Sequence, residues 1–153
     1  MQIRTATAQD IPAIMALYPD FFLVHEALQP QFFRSAQQDS SFLEKTVASE
    51  NSDLLVAVKA DEILGFALLQ TRETPPFGCL VEYRYAYLLD LCVAPEYRRN
   101  GIGAALMAAA EQWTKERALA YLELDVLTNN ERALGVYERS GFAPVRQCMR
   151  KML

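Results

Sequence analysis

The spacing of hydrophobic positions changes several times along the chain, and each change predicts a new element of secondary structure. Residues 2–6 have the pattern of a short strand, and residues 11–18 carry apolar side chains at helical spacing. Pro19 predicts the end of that helix, because proline has no N–H to donate inside a helix. Residues 21–36 are aromatic without regular spacing, so we expect irregular structure there.

Two further patterns predict a second helix and a hairpin. Ser41-Phe42-Leu43-Glu44 has the form of a capping box, which opens a helix. Residues 54–58 and 63–70 are apolar runs joined by a short polar connection. Such a pair of runs predicts two antiparallel strands.

Residues 80–93 are long and apolar enough to form a strand that crosses the whole sheet. Glu82, Arg84 and Asp90 occupy positions of one parity, so they would share a face of the strand unless a β-bulge intervenes. The other face of the same strand would carry three tyrosines, Tyr83, Tyr85 and Tyr87. We expect them to pack on the sheet or to form a substrate wall.

The second half of the chain predicts a crossover unit. Helical spacing over residues 102–117 is followed by a strand pattern at 121–126 and a helix at 130–140 that ends at Gly141. A strand, a helix and another strand make a parallel pair, whereas the earlier hairpin is antiparallel. Residues 143–152 could add a final strand. The prediction is therefore a mixed α/β sheet.

Composition restricts the class of protein. The chain has 153 residues, of which 52% are hydrophobic and 22% charged, which is typical of one globular domain over residues 1–153. Fifteen Lys and Arg against nineteen Asp and Glu give a net charge of −4, which argues against a nucleic-acid-binding protein. Any bound anion must then be held by a local site.

Cysteine and histidine usage excludes other kinds of site. The three cysteines lie far apart and His25 is the only histidine, so we expect no metal centre and no Cys-His nucleophile. Cys92 is expected to be a small buried hydrophobic residue. The first residues lack the layout of a signal peptide, and no apolar run approaches the roughly 20 residues that span a bilayer. These features predict a cytoplasmic protein without membrane contact.

The strongest chemical signal lies in residues 98–104, between a predicted strand and the best-defined helix. Gly101 and Gly103 allow unusual φ angles and close approach, and the first N–H groups of the helix point outward. Such a helix start binds anions. Arg98 and Arg99 add positive charge that suits a pyrophosphate. The alternative is that the glycines only make a tight turn and the arginines are solvated.

Two familiar phosphate-binding loops do not fit this segment. The dinucleotide fingerprint G-x-G-x-x-G requires a small residue where this chain has Leu106, and the chain contains no Gly-Lys-Ser or Gly-Lys-Thr. Leu106 therefore argues against a nucleotide-dependent reductase.

Residues 88–103, with Arg98-Arg99-Asn100-Gly101-Ile102-Gly103 at their end, resemble the acetyl-CoA-binding signature of the GCN5-related N-acetyltransferase (GNAT) family. Residues 130–142 are similar to the family's second signature, an Asn-x-x-Ala followed by Tyr137 and Gly141-Phe142. Residues 3–10 also look like the family's first strand and helix. The resemblance implies a mixed, mostly antiparallel central sheet with one splayed parallel strand pair and helices on both faces.

The resemblance also implies acetyl-CoA as donor and a set of contacts to it. The family holds the pyrophosphate on backbone N–H groups of the glycine loop and lays the pantetheine arm along the preceding strand as a pseudo-strand. It uses the asparagine of the second signature on pantetheine. The implied cofactor-binding residues are Leu91, Cys92, Val93, Arg98, Arg99, Asn100, Gly101, Ile102, Gly103, Ala104, Asn130 and Tyr137.

Catalytic roles follow from the same comparison and from acid–base chemistry. Asn130 and Tyr137 are about two helical turns apart and share a helix face, and the family's tyrosine protonates the departing thiolate. A phenol, with a pKa of about 10, keeps its proton at neutral pH for that purpose. The alternative for Tyr137 is a core aromatic.

A carboxylate should accept the amine proton, and Asp90 and Asp125 are the candidates. Alternatively, Asp90 pairs with Arg84, and Asp125 lies on a solvated face.

The sequence thus predicts an N-acetyltransferase that acetylates a primary amine of a small molecule or peptide by direct attack in a ternary complex. The alternative is a non-catalytic acyl-CoA-binding module on the same fold. Residues 21–49 should govern acceptor choice, and a contact of His25 with the substrate is conceivable. The family resemblance also allows a homodimer.

Overall fold

The computed structural model describes residues 1–153 as five strands and four helices. The elements are β1 (Gln2–Thr5), α1 (Ile11–Leu28), α2 (Ser40–Ala48), β2 (Ser52–Lys59), β3 (Glu62–Glu73), β4 (Arg84–Val93), α3 (Ile102–Glu116), β5 (Leu122–Leu124) and α4 (Glu131–Arg139). The sheet order is β1-β2-β3-β4-β5. The first three pairings are antiparallel and β4–β5 is parallel, as predicted.

Helices cover both faces of the sheet, and each face has its own core. On one face α3 packs through Leu106 onto Leu69 and Leu88. On the other face α1 and α2 pack onto a cluster that includes Phe66 and Leu68. Burial of these apolar side chains is the main stabilising term of the fold.

A β-bulge in β4 decides which residues face the functional side. Leu68 pairs with Asp90 but Leu69 pairs with Leu88, so Leu89 has no partner in β3 and is 37% exposed. An extra residue reverses the alternation of side chains beyond it. Leu88 therefore packs on the α3 side, and Asp90 faces α1.

The bulge also removes one alternative for Asp90. Arg84 lies before the bulge and Asp90 after it, so the two side chains lie on opposite faces. Arg84 instead has Glu73 as its ion-pair partner, at 3.8 Å between Nε and Oε1.

The prediction that helix α1 ends at Pro19 is wrong, because α1 continues to Leu28. Residues beyond the proline have strong packing partners. The ring of Tyr18 lies 5.7 Å from that of Phe21 and 5.5 Å from that of Phe22. This aromatic packing outweighs the hydrogen bond that the proline cannot make.

One helical segment, Ala8–Leu28, is long and apolar enough to cross a membrane by length and composition alone, with a mean hydropathy of 1.3. The expectation that no such run exists is therefore wrong. Within this segment, Ile14 and Tyr18 are fully buried against the sheet.

Several element boundaries differ from the predictions for local reasons. Helix α2 is capped by Asp39, whose side chain accepts a hydrogen bond from the Ser41 N–H at 2.9 Å, so the helix starts earlier than predicted and the predicted capping box from Ser41 to Glu44 does not form. Strand β4 starts at Arg84 because Thr74 holds the preceding loop through Val81 and Tyr83. Strand β5 has only three residues.

The final strand predicted from residues 143–152 does not form. Residues 143–153 make no backbone–backbone hydrogen bonds, and Val145 and Met149 are 79% and 88% exposed. A strand needs a partner for its N–H and C=O groups, and no strand pairs with this segment.

Candidate functional site

A gap between β4 and β5 forms the centre of the candidate site. The two strands pair only from Ala86 with Leu122 to Leu88 with Leu124. Strand β4 continues to Val93, so its edge beyond Leu88 has no neighbouring strand. Unpaired strand edges accept extended ligands through main-chain hydrogen bonds. The predicted splayed parallel pair is therefore present.

The turn that follows β4 presents the start of α3 to the same gap. Arg99 and Gly101 have φ values of 66° and 79°, in the left-handed region where glycine is favoured. Gly101 is the N-cap of α3, and no side chain caps this helix. The first N–H groups of α3, from Ile102 to Ala104, are thus available to an anion, as the sequence predicts.

The two arginines before this turn have different environments. The Arg98 guanidinium forms an ion pair with Asp20 of α1, and its Nε donates to the Val93 carbonyl at 2.9 Å. Arg99 is exposed and has no ion-pair or hydrogen-bond partner for its side chain. Arg99 is therefore the available cation at this turn, whereas the Arg98 side chain joins the loop to α1. The participation of both in cofactor binding stays a prediction.

Helix α4 carries the two predicted residues of the second signature. The Asn130 side chain caps the helix by accepting from the Ala133 N–H at 3.2 Å, which leaves its NH₂ group free. The Tyr137 ring packs against Phe142, with 6.0 Å between centroids, and against the core on the α3 side. Burial, with the charge of Asp90, raises the pKa of Tyr137 to about 12. The phenol therefore carries a proton at neutral pH.

Asp90 lies in a half-buried position where β4 meets α1. Its carboxylate accepts a hydrogen bond from the Tyr18 hydroxyl of α1 at 2.7 Å. Burial raises the pKa of Asp90, while the Tyr18 hydrogen bond and the charge of His25 oppose this rise. The same carboxylate is close enough to influence the pKa of Tyr137. Both predicted groups thus lie near the gap.

Asp125 lies just after β5 and has a different environment. Its side chain is 74% exposed and lies 4.0 Å from Arg146. It accepts a hydrogen bond from the Tyr87 hydroxyl at 2.5 Å. Burial and this hydrogen bond raise the pKa of Tyr87 to about 12. Asp125 is therefore more accessible to a solvated group than Asp90.

Cys92 is not suited to act as a nucleophile. It is 4% exposed within the core on the α1 side, and burial raises the pKa of its thiol to about 12. A thiol is nucleophilic as the thiolate, which this environment disfavours.

The end of α1 and the α1–α2 connection, residues 29–39, make contacts with distant segments that sequence reasoning missed. The Arg150 guanidinium lies 3.6 Å from the centroid of Phe32, and Asn129 donates to the Leu28 carbonyl at 2.8 Å. Tyr18, as partner of Asp90, was also missed. These partners are far apart in the sequence, so no local spacing could reveal them.

Comparisons with known proteins agree with this geometry. A model of the Acetyltransferase (GNAT) family matches residues 13–142. The uncharacterized N-acetyltransferase YhfO of Bacillus subtilis is 29% identical over 145 residues, which cover 93% of this chain and 89% of that protein. An aminoglycoside N(6')-acetyltransferase type 1 of Klebsiella aerogenes is 33% identical over 116 residues, 74% of this chain and 75% of that protein.

A solved structure is similar over the whole chain. It is that of a mutant BH1408 protein from Bacillus halodurans, which is 29% identical. The alignment covers 100% of this chain and 99% of that one, with a TM-score of 0.95.

Proposed function

Because this chain belongs to the acetyltransferase (GNAT) family and is an enzyme that uses acetyl-CoA, we propose that it acetylates a primary amine of a small molecule or peptide. The acetyl group passes by direct attack of the amine on the thioester in a ternary complex. The observation that carries this proposal is the free edge of β4 beside the uncapped start of α3, with Tyr137 nearby.

The donor would be held mainly by main-chain groups. The amides of residues 99–104 receive the pyrophosphate, helped by the Arg99 side chain. The edge of β4 at Leu91, Cys92 and Val93 receives the pantetheine amides. The free NH₂ group of Asn130 reaches the same arm. Since the Val93 carbonyl already accepts from Arg98, pantetheine uses the other main-chain groups of this edge.

The chemistry would use two groups at the thioester end of the cleft. The amine nitrogen bonds to the thioester carbon, and the tetrahedral intermediate then breaks its carbon–sulfur bond. The Tyr137 hydroxyl gives its proton to the departing sulfur, and its raised pKa of about 12 means that the phenol still holds that proton when the intermediate breaks down. Asp90 accepts a proton from the nitrogen, because burial makes this carboxylate more basic than usual.

Direct transfer is favoured over an acyl-enzyme because Cys92 is buried with a raised pKa. Asp125, exposed at the rim, would orient the ammonium group of the acceptor. The named activity of the aminoglycoside relative supports a small-molecule amine as one class of acceptor.

Release of free thiol from acetyl-CoA tests the proposal directly. The panel contains sisomicin, spermidine and a peptide that begins with alanine, each with an N-acetylated control. We expect thiol release with at least one amine and none with its acetylated form, and intersecting lines in double-reciprocal plots. Binding of acetyl-CoA without release by any amine would favour the non-catalytic module instead.

A further inference from the structure

His25, the only histidine of the chain, lies in the last turn of α1. It is seven residues from Tyr18, or about two helical turns, so the two side chains share a helix face. Tyr18 bonds to Asp90. The charge of His25 acts on the same carboxylate and lowers its pKa. The imidazole therefore lies on the same face of α1 as the partner of the candidate base.

The hydrogen bond of the ring fixes its tautomer. Nδ1 of His25 lies 2.8 Å from the carbonyl oxygen of Phe21, one turn earlier in the helix. A carbonyl can only accept, so Nδ1 carries the proton and Nε2 of the neutral ring keeps a free lone pair. This arrangement prepares Nε2 to receive a proton.

The surroundings of the ring hold it in place without blocking it. Its centroid lies 4.5 Å from that of Phe21 and 5.3 Å from that of Phe33 in the α1–α2 connection. The charged neighbours are Asp90 of β4 and Glu26, next along α1, whose carboxylate accepts from Ser35. The His25 side chain is only half-buried, so a proton on it can pass to water.

Acetylation of an ammonium group requires that the nitrogen lose two protons. The first must leave before attack, because an ammonium has no lone pair. The second leaves from the positively charged nitrogen of the tetrahedral intermediate. One proton ends on the coenzyme A sulfur and one enters solvent. A single carboxylate accounts for only one of these transfers.

Building on the proposed function, we propose that Nε2 of His25 accepts the first proton and releases it to solvent. Asp90 accepts the second and returns it to the Tyr137 oxygen after Tyr137 has protonated the thiolate. The half-buried position of His25 suits release to water. The Asp90 carboxylate, which the Tyr18 hydroxyl holds by a hydrogen bond and whose charge acts on Tyr137, suits return of the proton within the site.

His25→Gln tests this assignment through the pH dependence of kcat/KM for the fastest amine of the panel above. We expect a loss of roughly 100-fold at pH 7 that shrinks to a few-fold above the pKa of the amine, where the acceptor enters already neutral. The kcat/KM of Asp90→Asn should be lower than that of the wild type at every pH. Free imidazole should restore part of the rate of His25→Ala. Unchanged circular dichroism and acetyl-CoA affinity establish that the variants are folded.

A second measurement does not depend on turnover. Nitrogen-15 NMR of the only imidazole in the chain should show the neutral ring protonated on Nδ1. A neutral ring protonated on Nε2 would overturn the proposal. So would a loss of kcat/KM in His25→Gln that is equal at all pH values, or no loss of kcat/KM at all. If the wild-type enzyme released no thiol with any amine, the proposed function would fail as well, whereas the other outcomes overturn the role of His25 alone.

Discussion

The donor side and the acceptor side of the cleft are built in different ways. The donor side uses backbone groups from short continuous segments, namely the free edge of β4 and the first turn of α3. The proposed acceptor side uses side-chain hydrogen bonds between distant segments, such as that of Tyr18 with Asp90 and that of the Asn129 side chain with the Leu28 carbonyl. The donor side should therefore tolerate many side-chain changes, whereas single substitutions should reshape the acceptor side.

Tyr137→Phe gives the largest expected effect and tests chemistry separately from donor binding. We expect kcat to fall by roughly 100- to 10,000-fold, because the thiolate loses its proton donor. The dissociation constant of coenzyme A should stay nearly unchanged, since the ring remains. Rapid-quench kinetics and calorimetry measure the two quantities.

The control for that variant is Tyr97→Phe. Tyr97 lies beside the same turn, but its hydroxyl bonds to Glu62 at 2.8 Å. It should keep full activity. Equal kcat values for Tyr137→Phe and the wild type would remove Tyr137 from the mechanism.

The two adjacent arginines provide a matched pair on the donor side. Arg99→Ala should weaken coenzyme A binding by about tenfold at low salt, because it removes an available cation near the pyrophosphate. Arg98→Ala should mainly lower Tm, because it breaks the ion pair with Asp20. Asp20→Asn should have the same effect on Tm. A larger loss of affinity in Arg98→Ala than in Arg99→Ala would contradict this division.

A smaller effect is expected where the two sides meet, at Asp90. Burial raises the pKa of this carboxyl in the folded chain, so folding favours its protonated form. The wild type therefore loses stability as pH rises through the folded pKa, whereas Asp90→Asn does not. We expect the variant to gain stability relative to the wild type over that acidic range and to keep the gain at pH 7.

Thermal unfolding at a series of pH values measures this gain. Asp125→Asn is the control, because its carboxylate is 74% exposed. The stability of Asp125→Asn should depend on pH in the same way as that of the wild type. A gain for Asp90→Asn that is the same at every pH would show that burial of the charge is not its cause.

The same contrast explains how much could be predicted from sequence. The mixed sheet, the crossover unit and the turn at Gly101 depend on local spacing, and the structure confirms them. The continuation of α1 through Pro19 depends on packing between rings, which local propensity does not contain.

Side-chain partners at the site were also beyond local patterns. The sequence allowed a bulge in β4 but could not place it at Leu89. Arg98 and Arg99 are adjacent residues of the same type, so the sequence does not distinguish them. The fold brings Asp20 to Arg98 alone. The unpaired segment 143–153 lacks a neighbouring strand, which no pattern within the segment reveals.

A crystal structure of the protein with coenzyme A tests the central claim most directly. The pyrophosphate should lie on the amides of residues 99–104, and the pantetheine arm should hydrogen-bond to the free edge of β4 with its sulfur near the Tyr137 hydroxyl. Coenzyme A bound away from the gap between β4 and β5 would contradict the account, as would the absence of any binding heat in calorimetry.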